Sequence, residues 1–218
     1  MVRHFNFAQF KITSIAGICG MLSPIVIFTF LGLSLSQAPW FQWTQHALSN
    51  LGIKGASAIF FNSGFILGGI LTFIFSLGLI KMLSKKIGAY VLSMSSLALI
   101  GIGLFPVIIY IPHYISSAAF FMLLTLSLLV IGLTIKQDRF ECYMGVLAIL
   151  FALIAIGSTV FLLIFDGIAI PESLSCFPAF IWCMIYGVKM MEISKPSETI
   201  YNIIKRVNTP AIIGWWNR

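Results

Sequence analysis

The chain has 218 residues, of which 60% are hydrophobic and 9% charged, and its mean hydropathy is +1.05. Soluble proteins carry about 25% charged residues, so a soluble domain with so few could not cover its core. The same figures exclude disorder, and four cysteines are too few for a disulfide scaffold. What remains is a polytopic integral membrane protein with little mass outside the bilayer.

A spanning helix needs about 20 mainly apolar residues to cross about 30 Å of hydrocarbon. Six stretches qualify: Ile12–Ser36, Ser57–Ile80, Ile87–Ile111, His113–Ile135, Cys142–Phe165 and Ser173–Met191. None carries a charge at mid-membrane, and the alternation of a β-barrel is absent, so helices are the spanning solution. The first stretch exceeds the 7–15 residues of a signal-peptide core, and Pro39 follows its one small-x-small site, Ser36-Gln37-Ala38. It is expected to be a retained helix. Pro24 and Pro106 are expected to bend the first and third helices.

Twelve of the thirteen basic residues fall on one side of this topology, and Lys54 alone falls on the other. The positive-inside rule then places both termini in the cytoplasm, with the chain in the cell membrane. The net charge of +7 is topological bias and not a nucleic-acid signal. Short inner loops make neighbouring helices antiparallel, so the expected fold is all-α, an up-down bundle of six transmembrane helices over residues 1–194.

Two segments outside the helices are informative. The outer connection Ser36–Ala56 carries Trp40, Phe41 and Trp43, suited to the membrane interface, and a short helix is expected from Thr44 to Leu51, stopped at Gly52. The tail, residues 195–218, places Ile200, Ile203, Ile204 and Val207 on one helical face. With Lys205 and Arg206 off that face and Trp215 and Trp216 beyond it, the tail reads as a basic amphipathic segment on the inner membrane surface.

Polar groups at membrane depth are costly, which makes each a candidate for function. His46, Ser49, Asn50, Asn62, His113, Asp166 and Glu172 all map to the outer face. Two histidines and two carboxylates are the materials of a zinc site or an acid–base pair, but no H-x-x-x-H or H-E-x-x-H spacing occurs. No catalytic residue, metal ligand or cofactor is therefore assigned. Cys19, Cys142, Cys176 and Cys183 contain no C-x-x-C and are expected to pack, with Cys142 placed for acylation at the inner face. Gly64 and Gly68 form a G-x-x-x-G that permits close helix approach, within the bundle or in a dimer.

The order of these features resembles a known family. Pro24 at mid-span is followed by Ser49-Asn50-Leu51-Gly52, Asn62, Gly68-Gly69, Phe105-Pro106, His113 and Phe120-Phe121. Over roughly residues 12–190 the chain is similar to the uncharacterised six-helix prokaryotic membrane family called domain of unknown function nine-nine-eight. That family is distantly similar to the DRAM and Sfk-type membrane proteins of eukaryotes. The resemblance implies a six-helix bundle, no established activity and a polar patch near the outer face. The family's Ser-acid-Leu-Gly element has Asn50 in place of the acid here, which weakens a catalytic or metal-binding role for that loop.

The expected function is a membrane protein without catalytic machinery, either an accessory subunit of a membrane complex or a lipid-binding module. Its expected partners are membrane lipid and membrane-protein subunits. One alternative is a hydrolase or metal-dependent enzyme acting on lipid at the outer leaflet through His46, His113, Asp166 and Glu172. A second is a small-molecule channel or carrier, which requires a continuous polar path.

Overall fold

The computed structural model describes residues 7–135 and 138–193, with side chains described from Ile12 onward. Among these residues the protein is all-helical. Six helices, α1 (Phe7–Ser36), α2 (Gly55–Met82), α3 (Ile87–Leu104), α4 (Tyr110–Thr134), α5 (Arg139–Ser158) and α6 (Ala169–Ile193), are each long and apolar enough to cross a membrane. Each packs on its chain neighbours, and α6 returns to pack on α1, so the bundle closes as a ring. One end of the ring carries the long α1–α2 loop, and the other carries the start of α1 at Phe7 and the end of α6 at Ile193. We call these the long-loop end and the terminal end.

Helix ends depart from expectation where proline or hydroxyl chemistry intervenes. The third helix stops at Leu104 and not near Ile111, because Pro106 forces Phe105 into an extended conformation. Pro106 therefore ends α3 where a bend was expected, while Pro24 lies inside α1 and Pro178 inside α6. The fourth helix begins at Tyr110, which puts His113 inside its first turns. The fifth ends at Ser158 and tightens into a 3-10 segment, Thr159–Leu163. There the Ser158 and Thr159 hydroxyls bond back to the carbonyls of Ala155 and Ile156, drawing on the helix's own acceptors. The sixth begins at Ala169, so Glu172 lies within its first turn and not before it. The short helix expected over Thr44–Leu51 is instead a 3-10 segment, Leu48–Gly52.

Lipid tails are as apolar as leucine, so burial in hydrocarbon gives no hydrophobic drive between helices; close packing must hold them. Small residues allow it. A Cβ on Gly17 would stand 2.7 Å from the Gly187 carbonyl oxygen, and one on Gly187 would stand 2.6 Å from the Gly17 oxygen. The α1 and α6 backbones thus touch reciprocally. Gly64 and Gly68 pack in the same manner against Phe30 and Ile27 of α1, inside the chain. Hydroxyls join α1 to α2 and α2 to α3: Ser23 meets Thr72 at 2.6 Å, and Ser76 meets Ser93 at 2.7 Å. Bonds of this kind average only about 0.6 kcal/mol in membranes, so steric fit dominates.

α6 supplies the centre. Trp182 is fully buried, lies 6.4 Å from the Phe75 ring of α2, and donates its indole N–H to the Met144 carbonyl of α5 at 2.8 Å. Gly187→Leu is therefore expected to destabilise the bundle by about 1–3 kcal/mol or more through overpacking. Gly32→Ala, where a Cβ meets nothing within 4 Å, is expected to leave stability unchanged or slightly raised. Thermal unfolding in detergent, followed by tryptophan fluorescence, checks both.

Candidate functional site

The long loop is strapped to the turn between α5 and α6. Gly167 donates its N–H to the Thr44 carbonyl at 2.8 Å, and Ala169 donates to the His46 carbonyl at 3.0 Å. A Cβ on Gly167 would strike the backbone of Gln45 and His46, so only glycine permits this approach. The third tie is a side chain: Glu172 Oε2 accepts the Leu48 N–H at 2.7 Å. Leu48 opens the 3-10 segment, whose first N–H groups lack partners of their own. A carboxylate from α6 satisfies one of them and draws Leu48 and Leu51 into the mouth of the bundle, where both are buried.

Several predicted site residues serve this local structure. His46 Nδ1 accepts the Gln42 N–H at 3.0 Å, and its ring stacks on Phe41 and meets Trp40 edge-on. Asn50 Oδ1 accepts the Ala47 N–H at 2.7 Å and closes the start of the 3-10 segment. Asn62 Nδ2 donates to the Gly52 carbonyl at 3.2 Å, while its Oδ1 is buried without a partner among the described residues. Asp166 is exposed in the turn after the 3-10 segment Thr159–Leu163. Among the described residues no hydrogen bond joins any two of these four side chains. Among the described residues no three of His, Cys, Asp and Glu are grouped to hold a metal ion.

Ser49, Glu172 and His113 are brought together with a residue that sequence reasoning passed over, Ser117. His113 is 8% exposed, and its Nδ1 lies 2.7 Å from the Phe105 carbonyl oxygen. A carbonyl can only accept, so Nδ1 carries the proton. In the neutral ring Nε2 is then an acceptor, and Ser117 donates its hydroxyl to it at 3.3 Å. The i, i+4 spacing of His113 and Ser117 was the signal available in the sequence.

Ser49, Ser117, Glu172 and Cys176 are set in a mostly apolar wall of leucine, isoleucine and phenylalanine side chains, Phe121 among them, around a small chamber of about 20 Å³. That is the room of one water-sized group. A second, larger cavity adjoins it. A groove of about 540 Å³ runs between α4 and α5, from Phe121 to Leu129 on one side and Ala155 to Thr159 on the other, with Ser175 of α6 also lining it. Its hydroxyls are spent within their own helices: Thr125 on Phe121, Thr159 on Ile156 and Ser175 on Pro171. The groove surface is therefore hydrocarbon in character. Phe121 borders both cavities.

A family model described as "Protein of unknown function (DUF998)" matches residues 21–189. The chain belongs to this family. The DUF998 match takes in the strap, the chamber and the groove, and stops short of the tail. The chain matches no curated protein and no solved structure.

At the terminal end a buried acid was also missed by sequence reasoning. Glu141 is 8% exposed and accepts the Tyr186 hydroxyl at 3.4 Å, while the Lys189 ammonium lies 3.9 Å from the Glu192 carboxylate and 5.2 Å from the Phe140 ring centre. The four cysteines are free thiols, with Cys142 exposed and the others buried. Lys205, Arg206, Trp215 and Trp216 lie outside the described residues.

Glu172→Ala leaves the Leu48 N–H without its acceptor, at an expected cost of about 1–3 kcal/mol. Hydrogen exchange over residues 44–51 is expected to quicken markedly, with little change in α2 and α3. Unchanged exchange in that loop would show that the strap holds without Glu172.

Proposed function

We propose that this multi-pass membrane protein is a lipid-binding module that lodges an acyl chain in the groove between α4 and α5. The groove itself carries the proposal. Its volume, about 540 Å³, lies within the roughly 300–1,000 Å³ of small-molecule sites. It opens to the surface past Met122, Leu126 and Ile156, each exposed by about half or more. These residues belong to spans long enough to cross the bilayer, so what faces the opening is lipid hydrocarbon. An acyl chain enters sideways, without crossing a polar barrier.

Every spanning helix touches lipid, so the test separates the groove from ordinary annular contact. A lipid with a photoactivatable group on its acyl chain, reconstituted with the full chain, is expected to label Phe121–Leu129 and Ala155–Thr159 several-fold above the exposed face of α3 at Tyr90, Met94 and Leu97. Leu126→Trp, which fills the groove, is expected to remove that excess. Equal labelling of the α3 face would overturn the proposal. Cross-linking of a second protein through the groove in native membranes would favour the accessory-subunit alternative instead.

A lipid hydrolase working through His46, His113, Asp166 and Glu172 draws less support, because His46 is spent on loop backbone and Asp166 faces solvent. A channel draws less as well, since the interior hydroxyls of α1, α2 and α3 bond to one another and to helix carbonyls.

The charge bias supports a cell-membrane location with both termini cytoplasmic. Lys54 is exposed at the long-loop end and Cys142 at the terminal end. A Lys54→Cys variant is expected to react with a membrane-impermeant maleimide in intact cells, and Cys142 only after lysis. The reverse order would invert the topology.

A further inference from the structure

The chamber beside the groove has a chemistry of its own. Glu172 has no cationic partner among the described residues; its hydrogen bond there is the one from the Leu48 backbone. Ser117 donates its proton to His113, whose ring is set by the Phe105 carbonyl, so the oxygen of Ser117 is left as an acceptor. Two of the polar groups at the chamber wall thus accept, and the third, the Ser49 hydroxyl, serves either way. Among the described residues the lining holds no Lys, Arg or His to balance a phosphate or carboxylate, whereas a group with N–H donors finds oxygen acceptors there. Size narrows the choice. The chamber's roughly 20 Å³ suits one group the size of water, which a primary ammonium matches and a trimethylammonium exceeds.

We infer that the chamber is the head-group pocket of the groove and selects a long-chain lipid bearing a primary amine, whose nitrogen reaches Glu172 and Ser117 past the Phe121 ring. The inference rests on an acyl chain occupying the groove. Phe121 is partly exposed and borders both cavities, so a turn of its side chain is the motion this inference requires. The groove supplies affinity for any alkyl chain, and the chamber supplies selectivity for the head.

The test uses the full-length protein in neutral phosphatidylcholine nanodiscs, with binding read by native mass spectrometry. The probes are hexadecylamine, hexadecanol, hexadecyltrimethylammonium and butylamine. Wild type is expected to bind hexadecylamine roughly tenfold or more tighter than hexadecanol or the trimethylammonium probe, the size of effect that a hydrogen bond to a charged group supplies. Glu172→Gln keeps an acceptor for the Leu48 N–H and is expected to erase the amine preference, so that hexadecylamine binds no tighter than hexadecanol. Ser117→Ala, which does not touch the strap, is expected to weaken the preference several-fold. Equal binding of the three long-chain probes by wild type, or an amine preference that survives Glu172→Gln, would overturn the head-group inference. Competition by butylamine would assign the chamber to a free amine and overturn the lipid source. Leu126→Trp reports on the groove separately: alkyl probes that bind this variant as well as wild type sink the groove proposal, whatever the head preference.

Discussion

The tie between Glu172 and the Leu48 N–H is the contact on which the long-loop end depends. Backbone donors near hydrocarbon must find partners inside the protein, because water is scarce there. The 3-10 segment Leu48–Gly52 finds part of its satisfaction in the first turn of α6, across 124 residues of chain. Gly167 and Ala169 add two backbone bonds beside it. Together these draw the long loop over the bundle, bury Leu48 and Leu51, and bring Ser49 to the wall of the chamber. Without that strap Ser49 and Ser117 would have no reason to share a cavity.

The ring is held unevenly, and the unevenness creates the groove. α1 and α6 meet through glycines whose missing side chains let backbones touch, and Gly64 and Gly68 of α2 receive side chains of α1. α4 and α5 share a similar contact at Gly132 and Gly145, toward the terminal end. Toward the long-loop end their facing side chains are larger, α5 gives way to a 3-10 segment after Ser158, and a gap opens between the two helices. The same hydroxyls that bond back onto helix carbonyls keep the gap apolar. Those apolar walls are why we propose an acyl chain as its occupant.

Polar residues scattered through the outer half have divided roles. His46, Asn50 and Asn62 satisfy backbone groups of the loop, the usual fate of polar side chains in an ordered turn. Glu172 does this too, yet it also lines a cavity, with no cation at its side among the described residues. His113 sets the donor direction of Ser117 rather than facing the cavity wall itself. The chamber consequently accepts hydrogen bonds more readily than it donates them.

Much of this was legible in sequence. Six apolar runs and the absence of mid-membrane charge follow from composition and spacing, because hydrocarbon solvent imposes length and polarity on any segment that crosses it, and the order of short motifs carried the DUF998 resemblance. Helix ends near Pro106, Ser158 and Pro171 were less so, since local hydroxyl and proline geometry shifts an end without altering hydropathy. Convergence was not legible at all. Ser117 looked like one of many membrane serines, and Asp166 looked equal to Glu172, until the strap placed one carboxylate at a cavity and left the other in solvent. The sequence by itself determined the medium and the number of crossings. The tertiary structure decided which polar groups meet, because contacts between residues 124 apart depend on backbone approach that no local pattern encodes.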